Sequence, residues 1–143
     1  MKVLAIAVAM STLLMSAVSI RAQDSTLVVR DAWIRQPAPN KTEAALYLEL
    51  ENRSPERRAI VAASSDIASS AEMHEMKMEK MVMTMTFVSQ IAVPAKGKAT
   101  LDPNRFHIML YGLKSRPAIG ASIAVTLKMD DGTSVPVTAV VRK

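Results

Sequence analysis

The sequence predicts an all-β domain, a sandwich or barrel of short strands. Three observations carry that expectation. Apolar residues alternate with polar ones over short runs; in residues 44–51, Leu46, Leu48 and Leu50 alternate with Tyr47 and Glu49. Turn-forming residues interrupt such runs about every 8–12 positions, the spacing of sandwich and barrel strands. Beyond the leader described below, no segment repeats apolar side chains at helical spacing.

The strands follow in order. Residues 27–33 read as the first, and residues 44–51 as a half-buried second. Between them Pro37-Ala38-Pro39-Asn40-Lys41 is a loop, because neither proline can donate to a ladder. Asn52-Arg53-Ser54-Pro55 is a turn, and residues 58–63 form a third strand. Ala71–His74 leads into a methionine-rich stretch, and residues 82–88 are β-rich. Residues 91–93, 99–101 and 106–111 are short strands separated by Pro94-Ala95-Lys96-Gly97-Lys98 and Asp102-Pro103-Asn104. Residues 112–120 read as loop. Residues 122–128 and 134–141 flank Asp130-Asp131-Gly132-Thr133, and an Asp-Gly between alternating runs marks a hairpin.

A chain of 143 residues fits one domain. Half of the residues are hydrophobic but only 3% are aromatic, so the core is aliphatic and rich in methionine, with Trp33 the single tryptophan. There is no cysteine. That excludes disulfides, thiolate zinc and iron–sulfur sites, thiol catalysis, and a blue-copper electron-transfer site.

Residues 1–22 read as a secretory signal peptide, with Lys2 before an apolar run to Ile20 and a polar exit at Arg21-Ala22-Gln23. The run is slightly short for a membrane span and is broken by Ser and Thr. Export, a cut after Ala22 and no stable membrane insertion are therefore expected, which in a Gram-negative host means the periplasm. One domain then covers residues 23–143. Lys2 and Arg21 fall in the leader, leaving 16 basic against 13 acidic residues, a net charge of +3. The basic residues are scattered and not interleaved with aromatics, so nucleic acid is not an expected partner.

The stretch from His74 to Met109 concentrates the chemistry. It contains both histidines of the chain, and six of the eight methionines outside the leader lie between Met73 and Met85. Core filling is the usual role of one methionine, but it does not explain that density. His107 and Met109 stand at i and i+2, so on a strand both point to one face. His74, Met76 and Met78 share a parity, as do Met81, Met83 and Met85. Neutral imidazoles and thioethers without a thiolate suit Cu(I) better than Zn²⁺, Mg²⁺ or Ca²⁺.

The spacing resembles the signature of periplasmic copper chaperones of the PCuAC type: a His, ten residues, a Met, twenty-one residues, then His-x-Met. Here ten residues separate His74 from Met85, and twenty-one separate Met85 from His107-Ile108-Met109. Asp31-Ala32-Trp33-Ile34-Arg35, Ala44-Ala45-Leu46-Tyr47, Glu51-Asn52, Tyr111-Gly112-Leu113-Lys114 and Met129-Asp130-Asp131-Gly132 are similar to that family too. Met81 stands where relatives often have Gly, and Asn104-Arg105-Phe106 replaces a common Gly-Gly. The resemblance implies a cupredoxin-like, immunoglobulin-like β-sandwich (a Greek-key barrel). It implies one Cu(I) per chain, held by His74, Met85, His107 and Met109, and a carrier, not an enzyme. The implied partners are the CuA domain of cytochrome c oxidase subunit II and a second copper chaperone of the Sco type. Two other functions remain open: a buffer that sequesters copper or silver without delivering it, and a metal-free adhesion sandwich.

Overall fold

The computed structural model describes residues 26–143, so the leader assigned to residues 1–22 lies outside the described residues. The described chain is all β. Its strands are β1 (Leu27–Arg35), β2 (Ala44–Asn52), β3 (Arg58–Ser64), β4 (Ser70–Glu79), β5 (Val82–Val88), β6 (Ile91–Val93), β7 (Lys98–Leu101), β8 (Phe106–Tyr111), β9 (Ser122–Met129) and β10 (Ser134–Arg142).

Hydrogen bonding joins them in the order β5-β4-β8-β7-β2-β1-β10-β9-β3-β6, with β8 also paired to β2. The order folds back on itself: β3 packs against β4, and β6 against β7 and β2. Enclosed between these layers is one aliphatic core that includes Ile34, Leu46, Leu50, Ile60, Ile108, Leu110 and Leu127. The β9–β10 hairpin illustrates the sorting. Val135, Val137, Ala139 and Val141 are buried while their neighbours are exposed, and Gly132 takes φ 84° in the expected Asp-Gly turn. The buried Arg58 reaches that turn, donating to Thr133 Oγ1 at 2.9 Å and pairing with Asp131.

Two irregularities aim side chains at the outer face. In β1 the pairing with β2 shifts by one residue between Arg30 and Trp33, and Asp31 takes φ 49°. Because side chains alternate along a strand, a one-residue slip exchanges the two faces. The bulge therefore turns Ile34 towards the core beside Leu46 and sets Trp33 against Tyr47 outside. At the end of β8, Gly112 takes φ 63°, and a Cβ there would meet Ser69 Oγ at 1.9 Å. This close approach lets Ser69 N–H donate to the Tyr111 carbonyl (2.9 Å), locking the entry of β4 onto the exit of β8.

The β4–β5 hairpin extends past the core. β8 begins at Phe106, opposite Glu75, so β4 beyond Met76 pairs only with β5, the edge strand. All of β5 except Val88 is exposed. The sequence marks no turn here, because Glu79-Lys80-Met81-Val82 lacks Gly, Asn, Asp and Pro. Lys80 and Met81 nevertheless take φ 47° and 65°, the backbone of a two-residue hairpin turn that favours Asn-Gly.

Two outcomes are expected. Met81→Gly removes a left-handed strain of about 1–2 kcal/mol at some cost in unfolded-state entropy, for a net gain of about 0.5–1 kcal/mol. Amide hydrogen exchange within the hairpin should slow by roughly 2- to 5-fold, whereas unchanged exchange would show that the turn carries no strain. Gly112→Ala should lower unfolding free energy by about 1–2 kcal/mol in a denaturant titration.

Candidate metal centre

The antiparallel pairing of β4 with β8 sets His74 directly opposite His107. Their rings lie edge-to-face with centroids 5.2 Å apart. Met109 follows two residues along β8 on the same face, opposite Glu72. On the other side of β4, Met85 of β5 is opposite Met76, again on that face. Sidedness is thus common to all four residues singled out by spacing. The opposite faces of the same strands supply Met73, Ile108 and Leu110 to the core.

Depth and reach divide the four. His74 and His107 are each 4% exposed although they point away from the core. Aromatic rings cover them: Tyr47 lies 6.3 Å from the His107 ring, Tyr111 lies 6.3 Å from His74, and Trp33 stacks at 4.7 Å on Tyr47. The Arg35 guanidinium sits 5.7 Å from the Tyr47 ring and closes that side. Met109 is half-buried, while Met85 is 53% exposed. The two methionines also lie on opposite diagonals of the histidine pair. In a flat sheet their Cα atoms would be roughly 16 Å apart, counting about 3.3 Å per residue and about 4.8 Å per strand. Register therefore sets His74, His107 and Met109 on β4 and β8, with Met85 on the edge strand diagonal to His74 from the other side.

The imidazoles are set up to donate electron pairs. His74 Nε2 lies 3.0 Å from Glu72 Oε2; a carboxylate only accepts, so Nε2 is the donor, which in a neutral imidazole leaves the lone pair on Nδ1. Nδ1 of both histidines is buried without a hydrogen-bond partner. Leaving a buried polar atom unsatisfied costs about 1–3 kcal/mol, and a metal ion at these nitrogens would relieve that cost. The pKa of His107 is lowered, first by burial and then by repulsion from any positive charge on His74, so the environment of His107 favours its neutral, ligating form. Among the described residues no three His, Cys, Asp or Glu side chains come together as a metal site, so a hard or borderline ion lacks an oxygen- or nitrogen-rich cage here. The donors present fit a soft ion.

The two positions that depart from the resemblance are benign in place. Met81 is 94% exposed at the tip of the hairpin. Arg105 points its side chain to solvent, 3.7 Å from Asp102, and its carbonyl accepts from Met76 N–H at 2.7 Å, which ties β4 to the loop before β8. Sequence reasoning did not identify Glu72, Tyr47 or Tyr111 as parts of the site. For Glu72 a signal was present, since its i, i+2 spacing to His74 puts both on one face.

Comparison with known proteins agrees with the architecture. The family profile described as "Putative lipoprotein LpqE-like" matches residues 27–141. A "Putative lipoprotein Lxx21020" of Leifsonia xyli subsp. xyli is 33% identical over 115 residues, covering 80% of this chain and 68% of the relative. Among solved structures, the apo PCuAC domain from PmoF1 superposes with TM-score 0.70 at 23% identity, covering 82% of this chain and 93% of that one. The Cu(I) form of DR1885 from Deinococcus radiodurans superposes with TM-score 0.63 at 31% identity, covering 88% and 83%. The chain belongs to the LpqE-like family, and its fold is the cupredoxin-like β-sandwich of PCuAC domains.

Proposed function

We propose that this domain is a carrier of one Cu(I) ion, held by His74, His107 and Met109 on the sheet and by Met85 from the hairpin. The observation that carries this is the buried His74–His107 pair, whose Nδ1 atoms lack partners on a face shared with both methionines. The likeness to a protein solved in its Cu(I) form supports it. All four ligands are neutral, so none offsets the charge of the ion. Such a site binds less tightly than a thiolate site and releases its cargo to a thiolate-bearing acceptor. The ion moves by exchange of ligands, with no electron transferred and no substrate transformed, so the protein acts as a carrier and not as a catalyst.

We further propose export through the leader at residues 1–22 to the periplasm, with delivery to the CuA domain of cytochrome c oxidase subunit II, alone or with a Sco-type chaperone. The surplus methionines at 76, 78, 81 and 83 would favour a second reading, buffering of copper or silver without delivery, if they bound further ions.

Titration with Cu(I) under reducing conditions should saturate the His site at one equivalent. A His107→Ala, Met109→Ala double variant should lose at least ~10-fold in affinity, or ~1.4 kcal/mol; undiminished affinity would sink the assignment. Glu72→Ala should weaken binding by roughly 10- to 100-fold, as loss of a partner that orients a ligating His does, while leaving the melting temperature of the metal-free domain nearly unchanged.

The pH dependence has a definite sign. The unfolded chain protonates His107 near its ordinary value of 6.5, while the folded domain resists. Stability of the metal-free domain should therefore be level above that pH and fall as pH drops below it. Denaturant unfolding at pH 7.5 and 5.5 measures the difference, and copper affinity should fall in the same window as protons compete for the ligand. Transfer from the loaded protein to an apo CuA domain, followed by absorbance, tests delivery. In a deletion strain, lost oxidase activity marks a carrier and copper sensitivity alone marks a buffer.

A further inference from the structure

The hairpin beyond the histidines carries more thioether than its structure needs. Met78 of β4 lies directly opposite Met83 of β5, and Met76 directly opposite Met85. Two adjacent cross-strand pairs thus put four sulfurs on one face. Directly opposed side chains in an antiparallel pair have Cβ atoms about 4.5–5.5 Å apart, and successive pairs on one face are about 6–7 Å apart along the strands. Methionine has three rotatable side-chain bonds, so sulfurs from both pairs can converge on one ion between them.

Packing does not account for these residues. Met78 is 66% exposed and Met83 39%, and neither belongs to the core or packs against it. Strand propensity does not account for them either, because an exposed ribbon is better served by Val or Thr. The other face of the same ribbon is ordinary: Glu75, Lys77, Thr84 and Thr86, with Lys77 Nζ 3.4 Å from Glu75 Oε2. Beyond Met73, which joins the core, the paired methionines of the ribbon all lie on the face that continues the row of His74 and His107.

We propose that Met76, Met78 and Met83 form a second, thioether-only site for a soft monovalent ion on the hairpin, with Met85 shared between it and the histidine site. The ion enters at the exposed tip and steps inward by ligand exchange: a bond to Met78 or Met83 breaks as one to His74 or His107 forms, with Met85 bound throughout. Oxidation state and proton count are unchanged. With three or four neutral thioethers and no imidazole, the hairpin holds its ion more weakly than the inner site. This goes beyond the single-ion carrier proposed above and can fail independently of it.

The test uses Ag(I), a soft monovalent ion that does not change oxidation state, and the full domain with ¹³C-methyl-labelled methionine. The first equivalent should shift the methyl signals of Met109 and Met85, and the second those of Met76, Met78 and Met83. In a Met76→Leu, Met78→Leu, Met83→Leu variant the stoichiometry should drop from two ions to one, with first-equivalent affinity and melting temperature retained. In the His107→Ala, Met109→Ala variant the hairpin methyls should still respond. Hairpin methyls unmoved by the second equivalent, or two ions still bound by the triple variant, would overturn the proposal; the second result would place the ion elsewhere. Undiminished first-equivalent binding in the double variant would instead overturn the histidine site and leave the hairpin site standing.

Discussion

The whole site depends on one registration, His74 against His107 across β4 and β8. Side chains alternate faces along a strand, so a slip of one residue would send His74 into the aliphatic core and bring Met73 out. The register is held from both ends by main-chain bonds. Ser69 N–H to the Tyr111 carbonyl fixes one end and Met76 N–H to the Arg105 carbonyl fixes the other, at 2.9 and 2.7 Å. Core packing adds a third restraint, because Met73, Ile108 and Leu110 occupy the inner face only in this alignment. The apolar interior thus selects the geometry of a polar site with which it shares no side chain.

Burying two imidazoles on the outside of a sheet needs a cover, and the cover comes from strands distant in sequence. Tyr47 of β2 shields His107, and Trp33 of β1 stacks on Tyr47. Trp33 reaches that position because the bulge between Arg30 and Trp33 reverses the facing of the rest of β1. An unbulged β1 would aim Trp33 into the core and leave Tyr47 bare. The aromatic cover helps to bury His107, and burial lowers its pKa, which favours a free lone pair on the ring. One inserted residue in β1 therefore bears on the chemistry of a histidine more than seventy positions away.

Much of this was legible in the sequence because it rests on period-two alternation. The strands at residues 82–88, 91–93 and 106–111 stand within the expected bounds, and β1, β2, β3, β7, β9 and β10 differ by one or two residues at an end; β4, Ser70–Glu79, had no strand assigned to it, only Ala71–His74 leading into the methionine-rich stretch. The i, i+2 spacing of His107 and Met109 gave their common face directly, and parity did the same for His74 with Met76. What the sequence hid was set by pairing, not by local pattern. Lys80-Met81 forms a turn without any turn residue, because the two flanking strands impose it. The role of Tyr47 needs the β2–β8 register, and that of Trp33 needs the bulge. Spacing counts ten residues from His74 to Met85 but cannot say that the chain reverses between them, which places Met85 opposite Met76 and diagonal to Met109.

That placement bears on how a carrier can both hold and release an ion. Three donors stand on β4 and β8, inside the sheet, and a fourth stands on β5, its edge strand, which is paired on one side only. An isolated two-stranded ribbon is marginally stable in water, so bending the hairpin costs far less than disturbing β8. In the proposed carrier the bond to Met85, kept while an ion steps inward from the hairpin, is then the first to open on release to an acceptor. Its opening exposes one coordination position on the solvent side while the imidazoles stay fixed under Tyr47 and Tyr111. An acceptor's sulfur can enter at that position before any other bond breaks, so the ion need not pass through water as a free cation. If all four donors stood on the rigid frame, release would require distorting the β4–β8 register on which the core also depends.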